Sequence, residues 1–249
     1  MSSNSILLAQ RPSIFVPGKS VLFDGADHIR LAYDSRIGDF GNGEWTMEGF
    51  IKFLAAPTDD EAIMAFGNGG GSQSPYLRLC YSPSGNCFYA DEANSVVGLW
   101  SAVGNTIGPI DYNHFYHVVA ERYNGQITLY VDGNFDTTKG AYRNSYGGWN
   151  SASSVHQSGM QLVAGSLVYG SRGFIETANA LLSNLRVTKG RAVYKGNFTP
   201  PTSKLEAGEG TTVLLCNSDT LVDASPYNWP LILDNSTPTI SDVSPFVSN

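Results

Sequence analysis

The chain has 249 residues, 42% of them hydrophobic and only 15% charged, with a formal net charge of −7 and an isoelectric point near 5.0. That length suits one large β domain, and that apolar content can fill its core. No two basic residues adjoin, so the basic footprint needed by a nucleic acid or an anionic membrane surface is missing, and neither is expected as a partner. No apolar run approaches the ~20 residues of a transmembrane helix. The opening MSSNSILLAQRPS lacks a basic n-region; no signal peptide is read there, and folding in a cytoplasm is expected. Twenty-seven Gly and 12 Pro favour short strands over long helices. Cys80, Cys87 and Cys216 are an odd set, expected as buried free thiols, although Cys80 and Cys87 flank a turn that would also suit a disulfide.

Residues 1–19, broken by Pro12, Pro17 and Gly18, read as an extended arm. Residues 20–33 read as a hairpin: Val21 and Phe23 alternate, Asp24-Gly25 turns, and Ile29, Leu31 and Tyr33 alternate again. Residues 34–44 are a loop. Residues 45–54, WTMEGFIKFL, carry apolar groups on both faces, as the central strand of a two-layer sandwich does. A loop over 55–61 and a strand over 62–67 follow. Residues 76–81 and 87–90 pair around Ser84-Gly85, residues 96–100 add a strand, and 101–112 form a loop. Residues 115–122 and 126–131 make a second hairpin through Asn124-Gly125, with Asp132-Gly133 after it.

Residues 137–160 are a long irregular stretch, of the length usually tied to function. A strand over 161–169 and a lead-in over 173–182 reach the stretch on which the chain is organised, 184–201, NLRVTKGRAVYKGNFTPP. Residues 184–188 read as a strand, Gly190 and Gly196 punctuate, and Phe198 precedes Pro200-Pro201, which stop sheet pairing. The physical picture is a belt across one end of the domain closed by an aromatic plug. Residues 211–216 are the last strong strand, and from 217 onward four prolines wind the chain out. No repeat or linker divides the core, so the expected organisation is an arm (1–19), one domain (20–233) and a tail (234–249).

The stretch 184–201 resembles the closing segment of concanavalin A-like lectin/glucanase domains of the laminin-G-like jelly-roll type. Phe23-Asp24-Gly25, the Trp-Thr-x-Glu of 45–48 and the Tyr-Val-Asp-Gly of 130–133 are similar to the same family, and the resemblance spans about 20–233. It implies an all-β fold, a two-sheet antiparallel jelly-roll sandwich. Domains with this ending are common in structural proteins of marine bacteriophages. The resemblance therefore implies a virion component, made in the host cytoplasm. Its expected partners are other virion subunits in a homo-oligomeric arrangement, with capsid decoration and a fibre or tail as the two settings.

A glycosidase needs two carboxylates across a cleft. Here Asp59, Asp60 and Glu61 read as a solvated loop, Glu48 stands alone in its strand, and Asp91-Glu92 falls beyond a strand end, so no catalytic residue is assigned and no enzyme is expected. His114 and His117, three apart on a strand, face opposite sides, and His117 is expected in a structural hydrogen bond. Relatives in the family often hold calcium. Asp24, Asp132 and Asp223 are the candidate ligands, though the first and second also have turn explanations. Glycan or partner contact falls to aromatic and polar loop residues: Trp100, Asp111 and Tyr112 on one loop, and Tyr142, Arg143, Asn144, Tyr146, Trp149 and Asn150 on the other. A lectin-like module for cell-surface glycans is the alternative to a purely structural role.

Overall fold

A computed structural model of the chain describes residues 19–67, 76–94, 99–135, 160–168, 173–234 and 237–246. Two antiparallel sheets close on one apolar core. The larger runs in the order β10 (Asn134–Phe135), β9 (Gln126–Val131), β8 (Tyr116–Tyr123), β3 (Trp45–Phe53), β14 (Asn179–Lys189), β1 (Ser20–Asp24), β16 (Thr239–Ser241), with β15 (Thr211–Leu215) also on β14. The smaller runs β2 (Ile29–Leu31), β11 (Gln161–Ala164), β4 (Glu61–Gly67), β5 (Tyr76–Ser82), β6 (Cys87–Asn94), β7 (Leu99–Thr106). A two-stranded ladder of β12 (Leu167–Val168) and β13 (Phe174–Ile175) and one helical turn, α1 (Ser35–Gly38), complete the described elements. This is the expected jelly-roll sandwich. No helix among the described residues is long and apolar enough to cross a membrane.

The central strand forms for the reason its sequence suggests. Trp45, Met47, Ile51 and Phe53 recur at even spacing and all enter the core. β14 is the spine: β3 lies along one edge, and β1 and then β15 along the other. Its core residues are Ala180 and Leu182, then Leu185 and Val187, so the inward face changes parity midway. A bulge between Ser183 and Arg186 makes the change. Asn184 takes the left-handed backbone there (φ 53). Its Nδ2 donates to Ser183 Oγ at 2.7 Å, and its Oδ1 accepts the Leu205 N–H at 2.7 Å.

Several sequence expectations change. Residues 20–33 are not a hairpin: β1 pairs with β14 and β16, whereas β2 pairs with β11 in the other sheet. Asp24 Oδ1 accepts the Ala26 N–H at 3.0 Å, and the chain turns a corner of the sandwich instead of folding back. Phe23, Ile29 and Leu31 all enter one core either way, so alternation alone cannot separate the two geometries. β7 extends through Thr106 where a loop was expected, because SAVGNT is held by its backbone ladder to β6. β6 carries Asp91 and Glu92 inside the strand. Within the C-terminal segment, Thr239–Ser241 adds a strand beside β1, and Arg30 and Ile232 form a bridge. The three cysteines are free and buried.

The closing segment docks on the β8–β9 hairpin. Phe198 stacks on Tyr194 at 3.7 Å between centroids and meets Tyr130 and His117 edge-on. The Phe198 N–H donates to the Gly133 carbonyl at 2.9 Å. Gly133 has φ +76, and a Cβ there would overlap the Phe198 carbonyl oxygen. Gly133→Ala therefore combines backbone strain with overpacking. It should destabilise by about 2–4 kcal/mol, read as a lower urea midpoint with an unchanged m-value.

Candidate functional site

The belt is held by carboxylates. Glu48 on β3 is fully buried. Its Oε1 accepts from Arg186 Nε at 2.9 Å and Nη2 at 2.6 Å. Its Oε2 accepts the Tyr194 hydroxyl at 2.6 Å and lies 3.1 Å from His117 Nε2. Burial pushes the Glu48 carboxyl up, but His117, Arg186 and Tyr194 together outweigh it and hold the group below its usual range. Glu121 on β8 accepts the N–H groups of Tyr194 and Lys195 at 3.0 and 2.6 Å. Glu48 thus has three partners, where the sequence shows it alone.

The sequence-named residues fall into three groups. Tyr142, Arg143, Asn144, Tyr146, Trp149 and Asn150 lie outside the described residues. Trp100 sits in β7 opposite Ala93. Asp111 accepts the Asn113 N–H at 2.8 Å in a turn, and Tyr112 beside it is exposed. The three aspartates do not converge. Asp24 ends β1 and Asp132 follows β9, with three strands between them in the sheet. Asp132 accepts the His117 N–H at 2.9 Å and lies 2.8 Å from His114 Nε2. Asp223 is buried and accepts four bonds, from the N–H groups of Leu214, Ser225 and Trp229 and from the Ser225 hydroxyl. Among the described residues, no group of three or more His, Cys, Asp or Glu is arranged to hold a metal ion.

One cleft, about 360 Å³, opens at the start of β14. Asp59, Asp60, Glu61, Glu176 and Asn179 line it. Of its three adjacent acids, Asp59 is exposed as the sequence implied, whereas Asp60 and Glu61 are less solvated. Glu61 opens β4 and is buried, and Asp60 accepts the Tyr89 hydroxyl at 2.6 Å. Glu176 pairs with Arg78, which also holds Asp91 through Nε at 2.6 Å and Nη2 at 3.0 Å. Burial pushes the Glu61 carboxyl up to about 7, opposed only by the Asn179 N–H. Burial also raises Glu176, against the pull of Arg78.

A second cleft, about 380 Å³, opens at the other end of β14. Arg36, Lys189, Thr211, Thr212, Pro226 and Tyr227 line it. Sequence reading missed it, although Tyr227-Asn228-Trp229 between Pro226 and Pro230 is a visible pairing of two aromatics in a turn. Tyr227 and Trp229 are stacked, 5.2 Å between centroids and 13° from parallel. The Arg36 guanidinium covers the pair, 4.6 Å from the Trp229 centroid and 5.4 Å from that of Tyr227. Trp229 packs against the core, and its Nε1 donates to the Thr212 carbonyl at 2.8 Å. Tyr227 remains 43% exposed. The result is an aromatic surface, held against Trp229, that faces an open cleft.

Residues 23–168 match the family described as the concanavalin A-like lectin/glucanases superfamily. No curated protein sequence matches the chain. Among solved structures, the chain is similar to a candidate carbohydrate binding protein from Bacteroides ovatus, at 18% identity and a TM-score of 0.54, covering 91% of this chain and 60% of that one. It is also similar to a native heptameric SAP-like pentraxin from Limulus polyphemus, at 14% identity and a TM-score of 0.56, covering 93% and 98%. The chain thus spans 60% of the length of the Bacteroides protein. At these identities the likeness shows the fold alone.

Two measurements test the electrostatics. Glu48→Gln leaves the Arg186 guanidinium without its charge partner and should cost about 3–5 kcal/mol; adding Arg186→Met should recover much of the loss in urea unfolding. Glu61 titrates near 7 when folded against about 4.5 when unfolded. Between those values the folded state binds more protons, so this contribution to stability is full below about 4.5 and is lost as pH rises through 7. The loss is on the order of 3 kcal/mol. Glu61→Gln keeps an acceptor for Asn179 and should raise Tm at pH 8.5 by about 5–10 °C, with little change at pH 4.

Proposed function

The chain belongs to the concanavalin A-like lectin/glucanases superfamily, and we propose that it works as a lectin-like, non-catalytic binding domain that holds a saccharide in the cleft beside Tyr227. The exposed Tyr227 ring, locked flat against Trp229, is the observation that carries this reading. A pyranose presents C–H groups on its flat faces and hydroxyls around its rim. An immobilised aromatic ring suits the first, and the Arg36 and Lys189 donors that line the cleft suit the second. The non-catalytic reading draws support from the acids. Glu48, Glu121, Asp91 and Asp223 are buried and engaged in structural bonds. The fold of the candidate carbohydrate binding protein from Bacteroides ovatus is compatible with the same use.

The closing segment supports a setting for this activity. Its Gly190, Tyr194, Phe198 and Pro200-Pro201 follow the ending that resembles phage structural domains. We place the domain in a virion, beside other subunits, as a homo-oligomeric decoration, fibre or tail component that contacts host glycans. Mass spectrometry of purified particles would give its copy number, and absence from particles would remove this setting.

Glycan-array screening followed by calorimetry tests the binding itself. The expected outcome is binding to at least one saccharide class, weakened about tenfold by Tyr227→Ala, as loss of one aromatic contact of about 1.4 kcal/mol implies. Tyr227 is half-exposed, so Tm should move little. Silence of the folded wild-type domain across the array would remove the lectin reading.

A further inference from the structure

The cleft beside Tyr227 carries more than an aromatic ring. Lys189, the last residue of β14, lines it. Lys189 Nζ donates to the Ser35 carbonyl at 2.7 Å, and among the described residues no carboxylate forms an ion pair with it. Arg36, across from it, is balanced: its Nε and Nη2 donate to Asp34 Oδ1 and Oδ2 at 2.8 and 2.7 Å. Hydrogen bonds from Arg36 hold the Asp34 carboxyl down at about 2, so the pair stays ionised at ordinary pH. Glu209 lies between the lining glycines Gly208 and Gly210, but its side chain is 89% exposed and faces Arg191 at 3.8 Å. The Asp34 carboxylate also feels the Lys189 charge, so two cations share one carboxylate and the cleft wall keeps a net positive charge on a chain whose formal charge is −7.

Lys189 and the aromatic pair are both fixed in place. The Lys189 N–H donates to the Gly210 carbonyl at 2.8 Å, and a side chain at Gly210 would press on the Lys189 carbonyl. On the facing wall, Asp223 gathers the N–H groups of Ser225 and Trp229 at 3.1 and 2.9 Å and so sets the loop that carries Tyr227. An aromatic face and an ammonium group, both preorganised, lose little freedom when a ligand arrives.

We propose that this cleft selects an acidic saccharide. The flat C–H face of a pyranose lies on Tyr227, and its carboxylate or sulfate meets Lys189 Nζ, with Arg36 Nη1, which has no hydrogen-bond partner among the described residues, as a further donor. A neutral sugar would use the ring and leave the ammonium unmatched. An anion without a flat apolar face would meet only the solvated Lys189 and Arg36 donors, contacts worth little in water by themselves. The combination is what discriminates. This inference rests on the lectin-like reading and adds the ligand class and the residue that reads it.

The test is calorimetry on the full chain with three matched probes: a neutral hexose oligomer, its uronic-acid counterpart and its sulfated counterpart. The wild type should bind one or both acidic probes at least tenfold tighter than the neutral one, and the preference should fall as salt rises. The two acidic arms separate carboxylate from sulfate recognition. Lys189→Gln should abolish the preference while keeping neutral-sugar affinity. Lys189→Arg should retain the preference, which separates charge from a folding defect. Tyr227→Ala should weaken all three probes, and Lys204→Gln, an exposed lysine paired with Glu206, should change nothing. Equal affinity for neutral and acidic probes would overturn the proposal while leaving the lectin reading intact. An acidic preference that survives Lys189→Gln would move the site elsewhere. No binding of any probe class, together with a silent array, would overturn both.

Discussion

The buried charge of Glu48 is the constraint on which the closed end of the sandwich depends. Removing a carboxylate from water costs several kcal/mol unless close partners replace the solvent. Here the partners come from three places: His117 on β8, Arg186 on β14 and Tyr194 in the belt. None is useful to Glu48 unless its own segment has docked. The charge therefore stabilises one arrangement of β3, β8, β14 and the belt and penalises others. The bulge at Asn184 belongs to the same arrangement. It changes the parity of β14, which puts Leu185 and Val187 inward and Arg186 on the Glu48 side.

The same device recurs around the molecule with different partners. Glu121 ties the belt through two backbone N–H groups. Asp91 and Glu176 share Arg78. Asp223 gathers the loop 223–229 through three N–H groups and a hydroxyl. Asp223, one of the three aspartates named as calcium candidates, thus orders its loop through hydrogen-bond donors. Several donors converging on one carboxylate fix the chain segments that carry them. A loop organised this way holds Tyr227 at the surface.

What the sequence disclosed follows from the range of the forces involved. Period-two alternation is local, so β3, the β8–β9 hairpin and the strand at 211–215 were legible. The aromatic plug was legible for a related reason, since Phe198 sits next to two prolines that end the chain's freedom to pair. Glu48 looked solitary because its partners lie 69, 138 and 146 residues away. Asp91 looked like a loop acid because a charge inside a strand reads as polar until Arg78, 13 residues earlier, is seen across the ladder. The hairpin assigned to 20–33 failed at the same limit. A turn dipeptide reports that the chain changes direction, but whether it returns to its own sheet is decided by β14 and β11, more than a hundred residues on. The cleft beside Tyr227 was hidden because its walls come from α1, the end of β14, the start of β15 and the loop after it.

The placement of the two clefts gives the domain a direction. Asn179 lines the acidic cleft and Lys189 the aromatic one, so they lie at opposite ends of one strand, about 33 Å apart at ~3.3 Å per residue. At physiological ionic strength fields decay over about 8 Å, so neither cleft cancels the other. Asp59 and Asp60 make one end repulsive to an anion, whereas Arg36 and Lys189, sharing the Asp34 carboxylate, leave the other end net positive. Net charge alone would have predicted indifference or repulsion toward such a ligand. The distribution along β14 reverses that expectation at one end only.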